Sequence, residues 1–172
     1  MNRSSKNIFY GLAVILLTAF DQFTKILAVE HLRDGGSVTV IPRILSLYYL
    51  ENKGAAFGIF QNGTVFFAAV TIALLGFLLY CYARIPEKTR YIPMRIIAMA
   101  IAAGAIGNLI DRIVHGYVVD FFQFTFIRFP IFNVADIYVT VSAIILFILV
   151  MFYYTDEDFQ FLSPKNHKQE EI

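Results

Sequence analysis

Four long apolar runs separated by shorter polar stretches organise this chain, at about residues 8–29, 64–83, 94–114 and 133–154. A helix rises about 1.5 Å per residue, so about 20 apolar residues cross a hydrocarbon core about 30 Å thick. Each run meets that length, and the pattern predicts four membrane-spanning helices. The second run is uncharged inside, the third has Arg95 near its start and Asp111 and Arg112 near its end, and the fourth carries only Asp136, in its first turn. The connection 30–63 is too long to be featureless. Within it, residues 37–41 and 44–50 are rich in Val, Ile, Leu, Thr and Tyr, with Pro42 between them. They predict two short strands. The expected fold class is an all-α polytopic membrane protein with four transmembrane helices. A small extracytoplasmic β-sheet cradle, at about 37–60, lies between the first and second. A single integral membrane domain is expected over 1–172, with a polar, mobile tail from about residue 155.

Composition sharpens this picture. Hydrophobic residues make up 58% of the 172 positions, charged residues only 16%, and mean hydropathy is +0.65. A net charge of +1 without a basic patch argues against a nucleic-acid partner. The single cysteine, Cys81, can form no internal disulfide and reads as a small apolar helix residue. His31, His115 and His167 are scattered, which excludes a zinc protease of the His-Glu-x-x-His type. The first run follows Arg3 and Lys6 as a leader would, but it exceeds a typical leader core, lacks a small-x-small cleavage site and contains Asp21 and Lys25. It is read as a retained span.

Basic residues set the orientation. Placing the N-terminus in the cytoplasm puts eight Lys and Arg on that side and five outside, so both termini are expected inside. Helical rise then gives depth. Asp111 lies 16 residues beyond Arg95, roughly 24 Å. Asp136 lies 20 residues before Asp156, roughly 30 Å. Asp21 and Lys25 lie 15 and 19 residues beyond Lys6, roughly 22 and 28 Å. Groups remote in sequence therefore converge in one layer near the outer edge of the membrane.

Their chemistry differs. Asn108 and Asp111 are three apart on the third helix, and Asn133 and Asp136 are three apart at the start of the fourth, so each pair shares a face. Ala100, Gly104 and Gly107 permit close helix approach. Packing and hydrogen-bond glue is the competing reading for these glycines and Asn108, and Asn133 also suits a helix cap. Asp111 adjoins Arg112, which fits a structural ion pair better than a proton donor. Asp120 is flanked by Val118, Val119, Phe121 and Phe122, surroundings that raise a carboxyl pKa by desolvation; the alternative is an exposed loop aspartate. Asp136 has only apolar neighbours, and an intramembrane carboxylate is a functional candidate. Two such acids brought together can share one proton and activate water. Asp21 and Lys25, four apart, suit an ion pair within the helix; alternatively, Lys25 snorkels to the head groups.

Five motifs occur in order: Asp-Gln-Phe-Thr-Lys (21–25), Glu-Asn-Lys-Gly-Ala-Ala-Phe-Gly (51–58), Gly-Ala-Ile-Gly-Asn-Leu-Ile-Asp-Arg (104–112), Val-Val-Asp-Phe (118–121) and Phe-Pro-Ile-Phe-Asn-Val-Ala-Asp (129–136). In these motifs the chain closely resembles the lipoprotein signal peptidase family, also called signal peptidase II, over nearly all of residues 8–154. Ala103 stands where that family usually has a further glycine. The resemblance implies an aspartic endopeptidase of the bacterial cytoplasmic membrane. Such an enzyme removes the signal peptide of a diacylglyceryl-modified prolipoprotein, cutting before the lipidated cysteine. It implies Asp120 and Asp136 as the catalytic pair. Asp21, Lys25, Asn52, Gly54, Asn108, Asp111, Arg112, Asn133 and Ala135 would shape the site or hold substrate. No metal or organic cofactor is implied, the remaining partners are membrane lipids, and a monomer suffices.

Two other classes compete. A small proton-coupled transporter would use the carboxylates as a relay, but the polar groups lie in one layer and the second run has no polar residue at depth beyond Thr71. A non-catalytic lipid-binding subunit would bind the same substrate without cutting it.

Overall fold

The computed structural model describes residues 3–54 and 63–162. Four helices form the body: α1 (Arg3–Leu32), α2 (Thr64–Arg84), α3 (Ile92–Val114) and α4 (Val134–Phe152). All four are long and apolar enough to cross a membrane. Helix α3 lies at the centre, packing against α1, α2 and α4, while α1 and α2 touch each other near Tyr10 and Tyr82. None of the residues of α2 is buried, and Ile144, Phe147 and Ile148 of α4 are exposed. Such surfaces suit lipid, where close packing rather than a hydrophobic drive joins helices. Small residues supply that closeness. A Cβ on Gly104 would sit 2.5 Å from the Ala135 carbonyl oxygen, so α3 and α4 touch backbone to backbone there.

One end of the bundle carries an antiparallel sheet of β1 (Ser37–Ile41), β2 (Leu45–Asn52) and β3 (Val118–Phe124), in that order. The two strands expected from 37–41 and 44–50 are present, the second shifted to end at Asn52. The third was not foreseen. Helix α3 ends where Gly116 takes a φ of +78°, a conformation glycine adopts without penalty, and the chain turns directly into β3. Asp120 is therefore a strand residue paired with Leu50, not a loop residue. Val118, Val119, Asp120 and Phe121 are all buried, so the alternation that marks a half-exposed strand is missing here. Phe122 pairs with Phe132 in an isolated bridge, which returns the chain to the sheet just before α4 begins.

At the opposite end the expected free tail is partly folded. Residues Asp156–Leu162 form a 3-10 segment in which Asp158 takes two 2.7 Å bonds from Arg90, and Tyr91 stacks on Tyr154. The Arg90 guanidinium holds the Asp158 carboxyl well below the usual carboxylate range. This pairing links positions 68 residues apart and left no local sign in the sequence. Residues 163–172, and residues 55–58 of the second motif, lie outside the described residues.

Candidate active site

Helix α4 starts with a reciprocal cap. The Asn133 side chain accepts from the Asp136 N–H at 3.0 Å, and the Asp136 carboxylate accepts from the Asn133 N–H at 3.1 Å. This is the capping-box logic, with Asp in place of the usual Glu. A third free N–H of the first turn, that of Ala135, donates to Asp21 Oδ1 at 2.9 Å. Helix α1 thereby grips the start of α4, and Ala135, fully buried, takes part through its backbone. A Cβ on Gly107 would strike the Asp21 carboxylate, so this glycine leaves room for the contact.

Behind the cap lies a buried charge cluster. Lys25 is 3% exposed and its Nζ lies 2.9 Å from Asp21, 3.1 Å from Asp111 and 2.8 Å from Asn108 Oδ1. Its three protons thus have three acceptors, as a buried ammonium requires. Asp21 and Lys25 form the ion pair expected from their spacing, and the snorkelling alternative fails. The cation facing Asp111 is Lys25, not its neighbour Arg112. Asp111 also accepts from the Val119 N–H at 3.0 Å and from Gln22 Nε2 at 2.9 Å, fastening β3 and α1 to α3. Gln22 was not anticipated; its position between the motif residues Asp21 and Lys25 was the available clue.

From this cluster a chain of amides leads to two further carboxylates. Asn108 Nδ2 donates to Asp136 at 2.8 Å, while its Oδ1 accepts from Lys25 and from Asn133 at 3.1 Å. Asn133 Nδ2 donates to Asp120 at 2.6 Å. Asn52, at the end of β2, donates to the other Asp120 oxygen at 2.8 Å, and its own Oδ1 accepts from the Gly54 N–H at 3.1 Å. Among the described residues no buried side-chain nitrogen or oxygen lacks a partner.

Asp120 and Asp136 line one cavity of about 480 Å³, together with Asn52, Gly54 and Arg112. Phe124, Phe129 and Phe132 make its wall, with the rings of Phe124 and Phe132 5.2 Å apart. Asp136, Arg112 and Thr140 also line a second cleft of about 270 Å³ that continues between α2, α3 and α4. Burial, then the negative charge of Asp136, pushes the Asp120 carboxyl from 3.8 up to about 7. Near neutral pH the Asp120 carboxyl can therefore hold a proton in the cavity that Asp136 also lines.

Asp120, Asp136, Asn52, Gly54 and Arg112 thus face the cavity. Asn108 and Asn133 connect the two acids. Asp21, Lys25, Asp111 and Ala135 stand behind them.

Four apolar helices with a polar, cavity-lining site at one end define a multi-pass membrane protein. The fold matches that of a bacterial membrane enzyme with a TM-score of 0.73 and 32% identity, covering 95% of this chain and 94% of that one. A second solved bacterial membrane enzyme matches with a TM-score of 0.74 and 34% identity over 86% of this chain and 94% of its own. The family model described as signal peptidase (SPase) II matches residues 13–152. The lipoprotein signal peptidase of Caldanaerobacter subterraneus subsp. tengcongensis is 48% identical over 143 residues, covering 80% of this chain and 95% of that protein. That of Streptococcus pyogenes serotype M6 is 40% identical over 154 residues, covering 90% and 98%. The chain belongs to the signal peptidase II family and is a membrane peptidase.

Proposed function

We propose that this chain is an aspartic endopeptidase that removes the signal peptide from diacylglyceryl-modified prolipoproteins, cutting before the lipidated cysteine. The observation that carries the reading is the convergence of Asp120 and Asp136 on one cavity, bridged by Asn133. The substrate class rests on the relatives, which are lipoprotein signal peptidases.

In this reading a water molecule sits between the two acids. Asp136 takes one of its protons as the oxygen attacks the scissile carbonyl carbon. Asp120, the protonated member, donates to the carbonyl oxygen. The resulting diol collapses: one hydroxyl returns its proton to Asp120 as C=O reforms, the C–N bond breaks, and Asp136 gives the proton it took from water to the leaving nitrogen. Arg112, whose Nη1 donates to the Asn108 carbonyl at 3.3 Å, keeps further N–H donors at the cavity for the peptide. Asn52 and Gly54 border it from the sheet.

The part of the cleft between α2, α3 and α4 lined by Leu74, Leu75, Leu78 and Ile101 suits the hydrophobic segment of the signal peptide, which packs there by van der Waals contact while the acyl chains stay in lipid. The bias of basic residues puts both termini in the cytoplasm of a bacterial cell, with the two acids at the outer face of the cytoplasmic membrane. The protein acts as a single integral domain and as a monomer.

The test compares one proprotein with and without diacylglyceryl on its cysteine, each incubated with the purified protein. The expected result is a mass loss equal to the signal peptide for the lipidated form alone. An intact lipidated proprotein would contradict the reading. Proton flux in proteoliposomes without cleavage would establish the transporter instead.

A further inference from the structure

Helices α1 and α2 each pack on α3, and the space between them at the end remote from the two acids is a groove of about 360 Å³. Its lining is almost wholly apolar: Val14, Leu75, Leu78, Ala102 and Ile106 among others. Gly11 lies on its floor with open space where a Cβ would be. From Ala98 to Ile106 along α3 the groove runs roughly 12 Å. At its mouth, on the side remote from the acids, it adjoins a second cavity of about 250 Å³ lined by Lys6, Lys88 and Arg95, with Glu87 opposing them. Asn7 and Tyr10 line both spaces. Tyr82 accompanies them, bonded to Asn7 at 3.3 Å and edge-on to Tyr10 at 6.4 Å.

Among the described residues, three cations against one carboxylate give the mouth a net positive charge. Arg95 is buried and gives one bond to the Ile85 carbonyl, at 2.7 Å, which leaves Lys6 and Lys88 as the movable charges. Nearby Arg90 is already taken by Asp158. A soluble anion would use the mouth and leave the groove empty. A second apolar helix would use the groove and leave the cations unmatched. A molecule with an anionic head and a long acyl chain fits both at once, and the bilayer supplies one. Basic pockets between membrane helices at the head-group level are suited to such heads.

We infer that the α1–α2–α3 groove is a binding site for one anionic glycerophospholipid, its phosphate at Lys6 and Lys88 and an acyl chain along Gly11 and Leu78. The site lies apart from the acid pair, so the inference does not rest on the proposed chemistry. Bound there, the lipid fills the seam that α1 and α2 leave open.

Native mass spectrometry of the full chain released from detergent, titrated with phosphatidylglycerol or phosphatidylcholine of the same acyl length, tests this. The wild type is expected to retain one phosphatidylglycerol on the order of tenfold more tightly than phosphatidylcholine. Lys6→Glu combined with Lys88→Glu should erase that preference while phosphatidylcholine binding stays. Gly11→Phe, which fills the groove from a position with room for a side chain, should weaken both lipids by a similar factor. Circular dichroism and thermal unfolding in detergent verify that each variant is folded; the two variants act independently, so loss of one leaves the other decisive. Equal binding of both lipids by the wild type overturns the inference. So does a phosphatidylglycerol preference that survives the folded variants, or a dimer that Gly11→Phe dissociates.

Discussion

Asn133 Nδ2 lies 2.6 Å from Asp120 Oδ1, while the backbone N–H of the same asparagine holds Asp136 at 3.1 Å. One residue thus starts α4 and fixes both acids. Its two duties can be separated. Asn133→Ser keeps a good cap but loses the amide that reaches Asp120. It should lower stability by about 1–3 kcal/mol, because the buried acceptors on Asp120 and Val119 lose their donor, and lower turnover about tenfold. Asn133→Ala loses the cap as well and should unfold about 1 kcal/mol more easily. Parallel thermal unfolding and cleavage assays in detergent check both.

Lys25 compensates two buried carboxylates. Lys25→Met should destabilise the protein by about 3–5 kcal/mol, because Asp21 and Asp111 then stay buried without a cation. Adding Asp111→Asn should restore part of that loss. Asp111→Asn alone should mainly reduce stability. The shift in unfolding midpoint across this set measures the coupling.

Gly107 keeps the Asp21 carboxylate against α4. Gly107→Ala should cost about 1–3 kcal/mol, since the new methyl must displace Asp21 from the Ala135 N–H. Gly76, which has open space where a Cβ would be, provides the control: Gly76→Ala should be neutral or slightly stabilising. Thermal unfolding of the two variants side by side decides this.

Asp120 makes stability depend on pH in a set direction. Its folded value, about 7, lies above its ordinary 3.8, so between these pH values the folded chain binds more protons than the unfolded one. The stabilisation this group contributes is complete below about pH 4 and is lost as pH rises through about 7. Asp120→Asn should remove that part of the slope. Turnover should likewise fall above about pH 7 as the acid loses its proton. Unfolding and rate profiles from pH 4 to 9 report the two effects.

Much of this arrangement is legible in the chain. Length and apolarity mark the four spans, and helical rise alone brings Asp21, Lys25, Asp111 and Asp136 to one level. Spacing gives the Asp21–Lys25 pair and the Asn133 cap. What escapes the sequence is contact across elements. Nothing local says that Lys25 rather than Arg112 meets Asp111, because that pairing depends on how α1 packs on α3. Strand β3 hides because its first four residues are all buried, which removes the alternation that identifies strands. Arg90 and Asp158 find each other only once α3 and the end of α4 are side by side.

The sharpest measurement is cleavage of a diacylglyceryl-modified proprotein by folded Asp120→Asn and Asp136→Asn variants. Each variant should lose at least about 100-fold in turnover while still binding the lipidated substrate, since each removes one half of a paired acid–base device. Normal processing by either variant would contradict that pairing.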